Sequence, residues 1–245
     1  IDQDIVFGLM NNNKKLKSFI TDFPSIENII SHSEKKQKDF SKEKRNRLVN
    51  EIKEQYKGEK ISKELNNNIN LLLDEKTFSV TSGHQLSLFS GPIYFIYKII
   101  STIKIVSELN KKSKNKKFVP IFWLASEDHD FEEIAKVNIS GKSLKWEKET
   151  LNQPVGKINS DKIEKFIKQY KNEIIDSEYS NKLISLIDEH YTSFTSLSKA
   201  TKSFINQLFS EYGIIVIDAD SKNLKKTLVD NLKNEILNGL CNKAE

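Results

Sequence analysis

Two polar turns, each set directly after a short apolar run, constrain this chain more than any other feature. Residues 78–82 lead into GHQLSLFSGP (83–92), and residues 119–125 lead into SEDHDF (126–131). Between them, residues 92–109 carry Ile93, Ile96, Ile100, Ile103 and Val106 at helical spacing, with Tyr97 and Ile99 widening the stripe. Strand, polar turn, helix, strand, polar turn is the order of a parallel βαβ unit. It leaves both turns at the carboxyl ends of neighbouring strands, where open α/β sheets bind their ligands.

The rest of the chain organises around that unit. Residues 1–76 read as an N-terminal helical region: Phe23-Pro24-Ser25 opens one segment, Ser41 caps the next, and Gly58 closes it at C′. Ile61, Leu65, Ile69 and Leu72 then mark one apolar helix face. Residues 77–136 form the first part of the core, with Pro92 at the first helical position and 118–125 a strand buried on both faces. Residues 137–190 read as an α+β insertion. It opens on a hairpin turning at Gly141-Lys142, followed by a helix capped by Ser160-Asp161 and a second helix over 179–190. Residues 191–245 return to the core through a helix over 192–212, a stop at Gly213 and a third strand over 214–217. The expected fold class is therefore α/β, with a parallel sheet, an N-terminal helical region and an inserted α+β segment.

Composition narrows the chemistry. With 37% hydrophobic and 30% charged residues, the 245-residue chain can bury a substantial core. Its net charge of +5 comes from interspersed lysines, which read as solvated helix faces. No basic stripe interleaved with aromatics marks a nucleic-acid surface, so no nucleic-acid partner is expected. A lone cysteine, Cys241, argues against a disulfide framework or cysteine metal cluster. No apolar run reaches membrane-spanning length, and the expectation is a cytoplasmic protein without membrane contact. The start at Ile1 and an end directly after a helical stretch read as a piece of a longer protein.

In the first turn, Gly83 allows the chain to bend sharply, while His84 and Gln85 supply donors and acceptors beside the coming helix. Ser90, Gly91 and Tyr94 join Gly83 and Gln85 as candidate substrate-binding residues, because a helix start favours a phosphate or carboxylate. No Walker or GxGxxG pattern accompanies them. In the second turn, Glu127-Asp128-His129-Asp130 is the densest polar cluster in the chain. It can supply an acid, a base or a metal ligand, although no metal site is assigned to it. One of its aspartates is expected to cap the helix carrying Glu132 and Glu133, while His129 and another carboxylate face the cleft. Asp218, at the end of the third strand, can reach a ribose or an amine, or serve only as a turn residue. Trp123 and Trp146 read first as core and hairpin packing, Trp123 also standing where it can line the crevice. His32 and His190 sit in charged helical segments and are expected at the surface.

At these residues the chain resembles the bacillithiol-biosynthesis cysteine-adding enzymes, the cysteine ligases called BshC. The stretches that carry the resemblance are VTSGHQLSLFSGPIYFIYKIISTIK (80–104), VPIFWLASEDHDFEEI (119–134), PVGKI (154–158) and LFSEYGIIVIDADSKNLKK (208–226). It implies a Rossmann-like core similar to nucleotidyl-transferase and synthetase ligases, incomplete here. It also implies a coiled-coil arm, absent from this chain, through which the full-length protein forms a homodimer. The implied reaction joins L-cysteine to glucosaminyl-malate, the final step of bacillithiol biosynthesis. ATP/ADP use is implied by the ligase resemblance alone, and the sequence identifies no cofactor. Under that reading the helix-start amides with His84 and Gln85 hold a carboxylate or phosphate, and Asp128, His129 and Asp130 orient and deprotonate the amine. Three departures stand out: His84 replaces a common glutamine, Ala135-Lys136 replaces an Asn-His pair, and Lys157 replaces an arginine. A non-catalytic nucleotide- or sugar-binding module and a metal-dependent hydrolase are the competing readings.

Overall fold

The structure, a computed structural model, describes residues 3–37, 40–148 and 152–238. Helices α1 (Gln3–Met10), α2 (Ile26–Gln37), α3 (Lys42–Gln55) and α4 (Lys63–Leu71) precede strand β1 (Thr77–Gln85). Helix α5 (Ile93–Lys112) connects β1 to strand β2 (Lys117–Ala125). The one-turn helix α6 (Phe131–Ile134) and the antiparallel hairpin β3 (Lys136–Ile139) and β4 (Lys142–Lys145) follow. Helices α7 (Ile163–Glu173), α8 (Glu178–Ser193) and α9 (Leu197–Phe209) then lead to strand β5 (Ile215–Asp218), helix α10 (Lys222–Lys226) and helix α11 (Val229–Asn238).

The three long-range strands form a parallel sheet in the order β1-β2-β5, a Rossmann-like arrangement. Strand β2 is central because its residues are apolar on both faces, and side chains alternate along a strand. Phe122 and Leu124 pack into one layer with Phe95 and Ile99 of α5 and Phe204 and Ile205 of α9. Val119 and Ile121 enter the opposite layer with Val49 and Ile52 of α3 and Leu65 and Ile69 of α4. Pro120 is tolerated in a central strand because pairing with β5 begins only at Ile121, so no ladder bond is interrupted on that side. Ser41 caps α3 as expected, its hydroxyl accepting from the Lys44 amide.

Several local expectations are corrected. Gly83, His84 and Gln85 are not a turn: they extend β1, paired with Trp123, Leu124 and Ala125. Gly83 is required there for closeness rather than bending, since a Cβ would sit 2.9 Å from the Trp123 carbonyl oxygen. The hairpin turns at Ser140-Gly141, because Ile139 pairs with Lys142 and both turn residues take positive φ (50° and 78°). Pro92 is the N-cap of α5 rather than its first residue, and Gly58 lies two residues beyond the α3 C-cap Tyr56. Ser160 does not cap α7, as its hydroxyl donates to the Phe194 carbonyl and Lys162 occupies the cap in left-handed geometry. The continuous helix expected over 192–212 is divided, with α8 ending at Ser193, α9 beginning at Leu197 and a 3-10 turn over Ser210–Tyr212. His190 is buried, not superficial: its ring packs on Phe204 and its Nδ1 lies 2.9 Å from the Ser203 hydroxyl. Burial holds its pKa below the ordinary histidine value. The expected terminal helix around Cys241 lies outside the described residues.

The insertion is built into the core. After β1 the chain passes through Phe89, Ser90 and Gly91, all at positive φ, before α5 begins. A side chain at Gly91 would place its Cβ 2.4 Å from the Ser87 Cβ. This constrained loop is held by Phe89, whose ring sits 5.6 Å from Phe166 and 5.1 Å from both Tyr170 and Tyr191. The Phe89 amide donates to the Tyr191 hydroxyl at 3.2 Å, and that hydroxyl also meets Thr201. Burial pushes the Tyr191 phenol up to about 12. Tyr191→Phe leaves the buried Phe89 amide unpaired and should destabilise the fold by about 1–3 kcal/mol. Urea unfolding checks this, and an unchanged midpoint would refute the role given to that hydroxyl.

Candidate functional site

The carboxyl ends of β1, β2 and β5 converge, and the link between the first two is a single side chain. Gln85, the last residue of β1, donates through Nε2 to Asp128 Oδ2 at 2.5 Å and to Glu133 Oε2 at 3.2 Å. The two polar segments singled out in the sequence therefore share one rim. Next to Gln85, His84 turns toward α5, its ring 5.1 Å from Tyr94 and 5.2 Å from Phe95. Its Nδ1 donates to the Gln85 carbonyl at 2.9 Å, which leaves Nε2 as an acceptor in the neutral ring.

Within the acidic quartet the roles are divided. Asp128 Oδ1 accepts the amides of His129 (2.6 Å) and Asp130 (3.1 Å). The Asp130 amide foremost, with the amide of His129 and the Gln85 side chain, holds the Asp128 carboxyl below its ordinary range despite partial burial. Asp130 caps α6 by accepting the Glu133 amide at 3.0 Å, so an aspartate of the quartet does cap that helix. His129 is exposed, and Glu127 is partly buried.

The third strand end adds groups that sequence reasoning had not assembled. Ser126 donates to Asp218 Oδ1, and the Asp220 amide donates to the same oxygen at 3.0 Å. Asp220 in turn binds two ammonium groups: Lys157 at 2.7 Å and Lys225. Burial alone would raise the Asp220 carboxyl, but hydrogen bonds from Lys157 and Lys225 outweigh it and hold the pKa below the ordinary aspartate value. Lys157 arrives through the PVGKI segment, which clamps the second polar turn. The amides of Val155 and Gly156 donate to the carbonyls of Asp128 (2.6 Å) and Ser126 (2.9 Å). No side chain fits at Gly156, where a Cβ would lie 2.6 Å from the Ser126 Cβ.

The rim thus gathers Gln85, Glu127, Asp128, His129, Asp130 and Asp218, together with Ser126, Glu133, Lys157, Asp220 and Lys225. Its mixture of fixed anions and exposed cations suits a ligand carrying both an amine and an acid group. Trp123 does not join His84: strand alternation puts it on the face of Ile121, opposite the α5 side, where it is 37% exposed rather than packed in the core. Trp146 is buried against Phe131, as a packing role requires. Tyr94 is exposed in the first turn of α5, and Ser90 is buried beside it, its hydroxyl without a hydrogen-bond partner among the described residues. No side chain caps α5; the Phe95 amide donates to the Pro92 carbonyl at 2.9 Å, and the amides before it can face an anion. Among the described residues no group of three or more His, Cys, Asp or Glu is arranged to hold a metal ion. None of the described helices is long and apolar enough to cross a membrane.

A separate cleft of about 670 Å³ lies near the start of β1, lined by Phe23, Phe40, Arg45, Phe78 and Val80 among others. It is largely apolar and lies away from the carboxyl ends of the strands, where the polar groups gather. At the rim, the lowered Asp220 pKa means that its ion pairs add stability above the ordinary aspartate range of about 4. That contribution is lost as pH falls through the depressed folded value. Asp220→Asn should therefore be less stable than wild type at neutral pH and converge with it in acid. Unfolding temperatures measured across an acid titration check this, and parallel curves would contradict it.

The family model described as bacillithiol biosynthesis BshC, N-terminal Rossmann-like domain, matches residues 2–244. The chain is 41% identical over 232 residues to a Flavobacterium johnsoniae protein named "Putative cysteine ligase BshC", covering 95% of this chain and 44% of that protein. A protein of the same name from Flavobacterium psychrophilum is 38% identical over 240 residues, covering 98% and 45% respectively. One from Staphylococcus carnosus is 30% identical over 155 residues, 60% of this chain. The chain spans less than half the length of these curated relatives.

Proposed function

The chain belongs to the bacillithiol-biosynthesis BshC family, and from that premise we propose that the full-length protein joins L-cysteine to glucosaminyl-malate by forming an amide. The observation that carries this reading is the Gln85–Asp128 bond, which unites the ends of β1 and β2 beside the charged groups of β5. Amide formation requires an amine and an activated carboxylate held in contact, with donors waiting where negative charge develops.

In this proposal the open start of α5, with the buried Ser90 hydroxyl and His84 nearby, receives an anionic group. The same features suit a phosphate, so ATP/ADP fits there as the cosubstrate, supplying activation of the cysteine carboxylate. Asp128, its oxygens occupied by two amides and Gln85, orients rather than accepts a proton. His129, exposed on the same turn, carries the proton from the amine. Homodimerisation through a coiled-coil arm is proposed for the full-length protein.

The test uses the full-length protein in a strain lacking this activity, with cellular thiols as the readout. Wild type should restore bacillithiol, and failure to do so overturns the assignment. His129→Ala should reduce turnover by about 10²-fold or more, in line with general acid–base catalysis, without shifting the unfolding temperature. Undiminished turnover would remove His129 from the mechanism while leaving the assignment intact.

A further inference from the structure

We propose that Glu127, together with Lys225 and Lys157, forms a receptor for an amine-bearing carboxylate, Glu127 taking the ammonium and the lysines the acid group. The inference deepens the proposed function and rests on it. Its starting point is Glu127 Oε2, which is buried and has no hydrogen-bond partner among the described residues. A carboxylate oxygen withdrawn from water without a donor is costly, and such groups call for an explanation in a ligand or a function.

The neighbouring carboxylates are already committed. Asp128 is taken by two backbone amides and Gln85, Asp218 by Ser126 and the Asp220 amide, and Asp130 by the α6 amide. Glu127 Oε2 is thus a spare acceptor on this turn, flanked in sequence by Ser126, which reaches β5, and Asp128, which reaches β1. The residue as a whole is only partly buried, so its carboxylate can be approached from the rim. An ammonium brings three donors to such an oxygen.

The complementary half is cationic. Lys157 and Lys225 share the single carboxylate of Asp220, whose side chain is only 10% exposed, while the lysines are 59% and 51% exposed. Each ammonium carries three donors and both lysines remain exposed after pairing with Asp220, so donors are left facing outward. Lys225 lies in the field of Glu127 and Asp218 as well as that of Asp220. A carboxylate oxygen without a donor and two ammonium groups with donors to spare match an amine and an acid on one small molecule. L-Cysteine and glucosaminyl-malate both have this chemistry.

Binding measurements on the full-length protein separate the two sources and require no turnover. Wild type is titrated with L-cysteine against N-acetyl-L-cysteine, and with glucosaminyl-malate against its N-acetylated form. For the ligand that uses the receptor, acetylation should weaken binding by about tenfold or more, the worth of one hydrogen bond to a charged group. In Glu127→Gln, with an unchanged unfolding temperature, that discrimination should fall below about threefold, because a neutral amide no longer prefers an ammonium. Lys225→Gln should weaken the free and acetylated forms of that ligand by the same factor, since both keep the acid group. Discrimination surviving in Glu127→Gln, or absent from wild type for both ligands, overturns the inference and leaves the ligase reading standing. If Glu127→Gln does not fold, the wild-type ratios and the Lys225→Gln titrations decide. Binding of neither substrate overturns both.

Discussion

Burial of β2 on both faces is the constraint from which the remaining architecture follows. Phe122 and Leu124 on one side and Val119 and Ile121 on the other must all leave water, each worth roughly 1.5–3 kcal/mol when fully buried. One helical layer cannot cover both faces, so α5 and α9 take one and α3 and α4 take the other. With β2 sandwiched, its flanking strands can pair only along its two edges. The register then brings Gln85, Ala125 and Asp218 toward the same end of the sheet. Polar residues that are harmless in the unfolded chain become neighbours because the apolar runs before them are aligned.

The insertion between β2 and α9 contributes to the site by holding loops rather than by supplying a second core. Phe89 is wedged among Phe166, Tyr170 and Tyr191, which fixes the constrained segment between β1 and α5. The PVGKI segment bonds the backbone of the acidic turn, and Trp146 packs on Phe131 at the end of the same turn. Both turns are therefore positioned from two directions, by the strands that precede them and by the inserted elements beside them. Preorganisation of this kind keeps polar groups aimed at a ligand without reordering on binding.

Much of the fold was legible in the residues because it rests on local periodicity. The continuous apolar run of β2, the helical stripe of α5 and the helical region before residue 77 all correspond to observed elements. Errors gathered where two segments meet. Gly83, His84 and Gln85 look like a turn until β2 is placed beside them and extends their pairing. Ser160 looks like a cap until the Phe194 carbonyl claims its hydroxyl. His190, in a charged helical stretch, is buried because α9 packs across it.

What the sequence determined by itself was the order of elements, the two polar segments at strand ends and the acidic quartet as the densest chemistry, since these depend on neighbours a few residues apart. Only the tertiary structure decided which of those groups are spent and which are spare. It placed Lys157 and Lys225 on Asp220, joined Gln85 to Asp128 and turned Trp123 to the face opposite His84. Gln85 and Asp128 lie 43 positions apart, and no local pattern encodes a contact set by the register of a buried sheet.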